Sequence, residues 1–138
     1  MNSIMNCCIE MALKNIKKDE IPVSAVIIKD GKIISRAKNN KNIKKDVLGH
    51  AEILCIRKAS KKLKRWNLSD CTMVVTLEPC DMCKLAIKES RITKVVYLVE
   101  RSIQKKIYNK TIFEQILNMD EQKKIYKEKM SEFFLNKR

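Results

Sequence analysis

The sequence predicts a layered α/β domain, on three observations. β-Branched runs of strand length recur at residues 22–29, 71–76 and 94–99. Apolar residues at helical spacing fill the intervals between them. An Asp30-Gly31 dipeptide splits the first β-rich stretch into two arms. Strands alternating with helices of this length are the pattern of βαβ units packed in layers. A chain of 138 residues fits one domain, spanning 1–138. Its 45% hydrophobic content is enough for a core and excludes a disordered basic tail.

Met5, Ile9, Ala12, Leu13 and Ile16 repeat at helical spacing, which predicts a first amphipathic helix over residues 2–17. Pro22 opens the first strand. Asp30-Gly31 suits the positive φ values of a tight type I′ turn, and residues 32–36 return as the second arm of a hairpin. Residues 38–48 are polar and read as an exposed loop. From His50 the pattern turns helical and ends in Lys61-Lys62-Leu63-Lys64-Arg65, cations that complement the negative end of a helix dipole. Trp66 is expected to pack at the end of that helix. After strand 71–76, Pro79 leads into a helix over 80–89 and then strand 94–99. Residues 102–108 read as a short helix, and 111–117 as either a fifth strand or a helix. Residues 120–136 form a last helix with Asp120 as N-cap and Ile125, Met130, Phe133 and Phe134 near one face.

The chain carries 30 Lys plus Arg against 16 Asp plus Glu, a formal net charge of +14. Such a balance suits a polyanionic partner. Yet 24 of the 30 cations are Lys, and Ile and Asn are abundant, which AT-rich coding alone would produce on a solvated surface. The longest apolar runs are too short to span a membrane, which needs about 20 residues. The N-terminus has no basic start followed by a long apolar stretch, so the protein is expected to be soluble and cytoplasmic. Six cysteines in such a chain argue against a disulfide framework. Cys7, Cys8, Cys55 and Cys71 read as small packed hydrophobes.

The chemistry concentrates in His50-Ala51-Glu52 and Pro79-Cys80-Asp81-Met82-Cys83. Pro79 suits a helix start, which puts Cys80 and Cys83 in the first turn on one face. The positive end of the helix favours thiolates. Alone, the cysteine pair is open between zinc, a redox couple and core packing. His50, the only histidine, adds an imidazole to two thiolates. Three protein ligands with a fourth position for water is the pattern of catalytic zinc. Glu52, two residues beyond His50, is placed near the metal without ligating it. On its own it would read as an exposed glutamate of a helix start; beside the cysteine pair it completes the H-x-E…P-C-x-x-C pattern of zinc nucleobase deaminases.

From residue 21 to residue 97 the chain resembles the bacterial tRNA adenosine deaminases, within the cytidine/deoxycytidylate deaminase superfamily. The likeness rests on Ile21-Pro22-Val23-x-Ala25-Val26, Asn39, His50-Ala51-Glu52-Ile53, Val75-Thr76-Leu77-Glu78-Pro79-Cys80-x-Met82-Cys83 and Ser90-Arg91-Ile92. The resemblance implies a cytidine-deaminase-like three-layer α/β/α domain with a mixed five-stranded sheet. It implies one zinc per chain on His50, Cys80 and Cys83, with Glu52 as catalytic proton shuttle. Asn39 would hydrogen-bond the purine, with Val23 and Ala51 also against the substrate. The implied reaction is hydrolytic deamination of the wobble adenosine in the anticodon loop of tRNA, by a homodimer. Two rivals stand beside it: a deaminase of a free nucleobase or nucleoside, and a zinc-stabilised RNA-binding module without catalysis.

Three positions depart from the family. Ser24 stands where a glycine is usual, and Gly49 replaces a different small residue; both changes are small in volume. After the fourth strand the family reads A-R-D and then a glycine-bearing loop, whereas this chain reads Val99-Glu100-Arg101-Ser102. An acidic position near the ribose has thereby become Arg101, a candidate substrate-groove residue.

Overall fold

A computed structural model describes residues 1–101, 106–108 and 111–136 of the chain. Its elements run α1 (Asn2–Lys14), a 3₁₀ turn (Ile16–Lys18), β1 (Ser24–Lys29), β2 (Lys32–Lys38), α2 (Lys41–Lys44), α3 (Ala51–Leu63), β3 (Thr72–Leu77), α4 (Asp81–Glu89), β4 (Lys94–Val99), β5 (Lys106–Tyr108), β6 (Thr111–Gln115) and α5 (Asp120–Leu135). One mixed sheet has the order β2-β1-β3-β4-β6-β5. The five strands expected from the sequence are all present, residues 111–115 being a strand and not a helix. A sixth, three-residue strand, β5, extends the edge where a short helix was expected; residues 102–105 of that expected helix lie outside the described residues.

Alternation along the strands explains the layers. Ala25, Ile27, Met73, Val75, Val95 and Tyr97 join Ala51, Cys55 and Ala59 of α3 and Ile87 of α4 in one core. Val26, Ile28, Val74, Val96 and Leu98 face the opposite way, onto Met5, Cys8, Ile9 and Ala12 of α1 and Tyr126 of α5. A sheet covered on both faces needs near-continuous apolar strands, and β1, β3 and β4 are built so. Cys8, Cys55 and Cys71 are buried free thiols and Cys7 is partly buried, as their sequence context suggested. Asp30 and Gly31 both have positive φ, 51° and 75°, which makes the hairpin turn the type I′ that this dipeptide predicts.

Three local expectations are corrected. Asp120 is the first residue of α5, not its cap, which is Met119 without a side-chain bond. The buried face of α5 carries Tyr126 and Phe133, while Ile125 and Phe134 are exposed. Tyr126 turns inward because its hydroxyl finds partners there: it donates to the Pro22 carbonyl at 2.7 Å and lies 3.1 Å from Thr76 Oγ1. Trp66 does not pack under its helix. It is 63% exposed, with the Arg91 guanidinium stacked 5.7 Å from its ring centre.

Strand direction sets up the site. β1 is antiparallel to both β2 and β3, and β3 is parallel to β4, so β2, β3 and β4 all end at the same edge of the sheet. In open α/β sheets ligands sit beyond the carboxyl ends of the strands. Asn39 follows β2, Pro79 and Cys80 follow β3, Arg101 follows β4, and Val23 precedes β1 at this edge.

Candidate active site

His50 and Cys80 are the N-cap residues of α3 and α4, both with extended backbone, and Cys83 lies in the first turn of α4. Two helix N-termini therefore converge. His50 Nδ1 lies 3.7 Å from Cys80 Sγ and 3.5 Å from Cys83 Sγ. The three ligand atoms all fall within 4.8 Å of one another, a spacing suited to a single metal ion. The donor set of one imidazole and two sulfurs at positive helix ends fits zinc. Burial, then the charges of Lys41 and Arg101, lower the His50 pKa, which favours the neutral imidazole that ligation requires.

Glu52, in the first turn of α3, is only 4% exposed. Burial pushes its carboxyl pKa up; a backbone N–H, Arg101 and Cys83 pull the other way. Burial, then Glu52 and Cys80, push the Cys83 thiol up as well. A carboxyl raised by burial beside a metal-ligand cluster is suited to taking and giving a proton.

The cluster opens on a cavity of about 390 Å³ whose walls include Val23, Asn39, Lys41, His50, Glu52 and Arg101. Met130 and Phe134 of α5 close one side. Ala51 is not on the wall. It is fully buried in the core, and it serves through its N–H, which donates to Asn39 Oδ1 at 2.7 Å. That bond fixes the Asn39 side chain, which is 5% exposed.

Several supporting residues carry no short-range signal in the sequence. Asn15 Nδ2 donates to the carbonyls of Ile21 and Asn39, each at 3.0 Å, tying the end of α1 to both edges of the pocket. Glu20, fully buried, accepts the Asn42 and Ile43 N–H groups through Oε1 and so caps α2 from 22 residues away. Lys84 makes a 2.7 Å ion pair with Glu78, both almost wholly buried. Ser24, the residue replacing a usual glycine, donates its hydroxyl to the Cys8 carbonyl. Gly49 is more constrained than its small volume suggests. A Cβ there would stand 2.5 Å from Asn40 Oδ1 and 2.7 Å from the Lys41 nitrogen.

The cytidine and deoxycytidylate deaminase zinc-binding region matches residues 1–99. The chain belongs to this deaminase family. Among curated relatives, the tRNA-specific adenosine deaminase of Aquifex aeolicus is 45% identical over 86 residues, covering 62% of this chain and 57% of that protein. The Bacillus subtilis tRNA-specific adenosine deaminase is 43% identical over 93 residues, 67% of this chain and 58% of that one. The chain thus spans somewhat over half the length of these bacterial relatives. Of solved structures, a chain from work on A-to-I editing by tRNA:A34 deaminases superposes with a TM-score of 0.75 at 30% identity, covering 83% of this chain and 98% of that one. The Bacillus subtilis guanine deaminase gives 0.69 at 36% identity, covering 72% and 64%. The chain therefore has the three-layer fold and the zinc-binding region of this family. None of its described helices is long and apolar enough to cross a membrane.

Proposed function

We propose that this deaminase converts adenosine to inosine at the wobble position of tRNA by zinc-dependent hydrolysis. The observation that carries the reading is the convergence of His50, Cys80 and Cys83 beside the buried Glu52 on one cavity wall. Zinc held by these three residues would supply Lewis acidity, bringing the ionisation of water to near neutral pH. Glu52 takes the proton of the attacking water and passes it to N1 of the purine. The C6–O bond forms as N1 is protonated; Glu52 then takes the proton of the new C6 hydroxyl and gives it to the C6 amino group, so that the C6–N bond breaks, ammonia leaves and the C6 carbonyl forms. Asn39, its Oδ1 occupied by Ala51, offers its amide nitrogen to the base, and Val23 gives the base an apolar wall.

The anticodon loop supplies an adenosine that leaves its stack more easily than one in a duplex. The +14 charge and the tRNA deaminase relatives support this substrate, and with tRNA goes a cytoplasmic place of work. A homodimer belongs to this reading; along β2, α2 and α3 runs a groove of about 900 Å³ with Ile43, Leu54 and Ile56 on its walls and six lysines and arginines around them. The guanine deaminase likeness at 36% identity favours one alternative, a free purine base as substrate.

The test is to incubate zinc-loaded protein with tRNA, guanine and adenosine and to map products by mass spectrometry. Inosine confined to the wobble position, from protein that elutes as two chains, is the expected result. Xanthine from guanine with unmodified tRNA would replace this reading with the free-base one.

A further inference from the structure

We propose that Arg101 is a specificity-determining phosphate ligand at the cavity rim, held in place by Glu78 and Lys84, so that the site selects a base carried on a phosphodiester backbone. This rests on the deaminase reading above.

The residues on either side of the cysteine pair build the support. Glu78 is 1% exposed and Lys84 2%. Burying two such charges costs several kcal/mol each unless their geometry is excellent. Here Lys84 Nζ sits 2.7 Å from Glu78 Oε2 and 5.6 Å from the centre of the Phe113 ring. The other carboxylate oxygen, Oε1, accepts the backbone N–H of Arg101 at 2.9 Å. The Glu78 carbonyl accepts Arg101 Nε at 2.8 Å. One buried residue thus fixes both the backbone and the first guanidinium nitrogen of Arg101. The terminal nitrogens form the planar fork that matches phosphate geometry, and Arg101 lines the cavity.

Charge accounting at the rim points the same way. Lys84 balances Glu78, so Arg101 is not needed to neutralise that carboxylate. Glu100, the acidic neighbour that would repel a phosphate, is held by Gln115 at 2.6 Å and by Lys123 at 3.1 Å. Of the acidic groups on the cavity wall, Glu100 is thus engaged by Gln115 and Lys123, while Glu52 shares the wall with Arg101. A second cation, Lys41, lines the cavity from the β2 side. β2 and β4 are three strand spacings apart, about 14 Å, with the cavity between their ends. A neutral purine offers these cations ring-nitrogen acceptors but no charge. The phosphates flanking an extruded nucleotide offer that charge.

The experiment measures binding of a fluorescent anticodon stem–loop RNA to zinc-loaded wild type, Arg101→Gln and Arg101→Lys over a salt series. Melting temperature and zinc content establish that each variant is folded and loaded. We expect Arg101→Gln to bind about tenfold more weakly and its log–log salt slope to be shallower by roughly 0.7, the loss of one single-strand phosphate contact. Arg101→Lys should recover part of the affinity, since a point charge lacks the fork. Adenosine 3′- and 5′-monophosphates should compete better than adenosine, the stronger identifying which phosphate Arg101 holds. Wild-type affinity and slope in Arg101→Gln, or equal competition by adenosine and both monophosphates, would overturn the proposal. Inosine formation by wild type, with KM in Arg101→Gln unchanged, would overturn it while leaving the deaminase reading intact. Arg101-dependent RNA binding without inosine would leave the phosphate contact standing and remove the deaminase reading.

Discussion

Glu52 and Glu78 are both buried at the same end of the sheet, yet they are held in different ways. Glu78, in the turn after β3, is enclosed by donors: Lys84 takes one carboxylate oxygen and the Arg101 N–H the other. Glu52, in the first turn of α3, faces a cavity, and burial raises its pKa. Two carboxyl groups in different environments are thereby fitted to different tasks. Glu78 is tied by Lys84 and Arg101 into the turn that carries Cys80, whereas Glu52 lies on the cavity wall with its pKa raised by burial. Burial alone does not assign a role; the number and charge of the partners do.

The largest expected effect comes from breaking the compensated region. Lys84→Met removes the ammonium that pairs with the buried Glu78 carboxylate and should destabilise the protein by about 3–5 kcal/mol, measured by urea denaturation. The double variant Glu78→Gln/Lys84→Met should regain most of that loss. Glu52→Gln, in contrast, replaces a carboxyl whose charged form burial disfavours, and should leave the melting temperature unchanged or raised. Equal destabilisation by Lys84→Met and Glu52→Gln would erase the distinction between the two regions.

A smaller effect tests the frame on which the cavity wall is hung. Tyr126→Phe removes the hydroxyl that donates to the Pro22 carbonyl and contacts Thr76 Oγ1. Thr76 Oγ1 keeps the Ser24 N–H, but the buried Pro22 carbonyl loses this donor, at a cost of about 1–3 kcal/mol that a lower melting temperature should report. No change in melting temperature would mean that α5 is docked by its apolar contacts alone.

The smallest effect uses an exposed carboxylate as a reference for the buried two. Asp70 is held at about 2, first by the hydrogen bond from Arg65. Its folded pKa lies below the ordinary aspartate value of about 3.9. Its contribution is therefore complete above that value and is lost as the pH falls through about 2. Asp70→Asn should lower the melting temperature slightly at pH 7, with the difference from wild type shrinking as the pH falls toward 2. A difference independent of pH would show that charge at Asp70 is not the cause. Solvent screening keeps such a surface pair weak, in contrast to Lys84 and Glu78.

What the sequence made legible follows from the range of the forces involved. Strand β4 was readable to its ends because Val95, Val96, Leu98 and Val99 are buried between two helical layers, and a doubly covered strand is apolar throughout. The hairpin was readable because Asp30-Gly31 adopts its turn from local backbone preference. His50, Glu52, Cys80 and Cys83 were readable as a set because each follows a chain signal, a helix start or a proline. Asn15, Glu20 and Lys84 were not read as part of the site. Two of them bond partners more than 20 residues away, and the third pairs with a glutamate whose burial only the fold creates. Trp66 departs from its expected packing for a similar reason: its ring is occupied by Arg91 from a turn 25 residues on. In α5 helical spacing alone could not rank Ile125 against Tyr126. The inward residue was decided by the hydroxyl's partners on β3 and before β1.

The central claim is that Glu52 carries protons for the reaction without holding the metal. Glu52→Ala should be assayed for zinc per chain by elemental analysis and for inosine formation in tRNA from the same preparation. One zinc per chain together with a fall in deamination rate of roughly 10³-fold or more is the predicted result. Wild-type activity in the zinc-loaded variant would contradict the account.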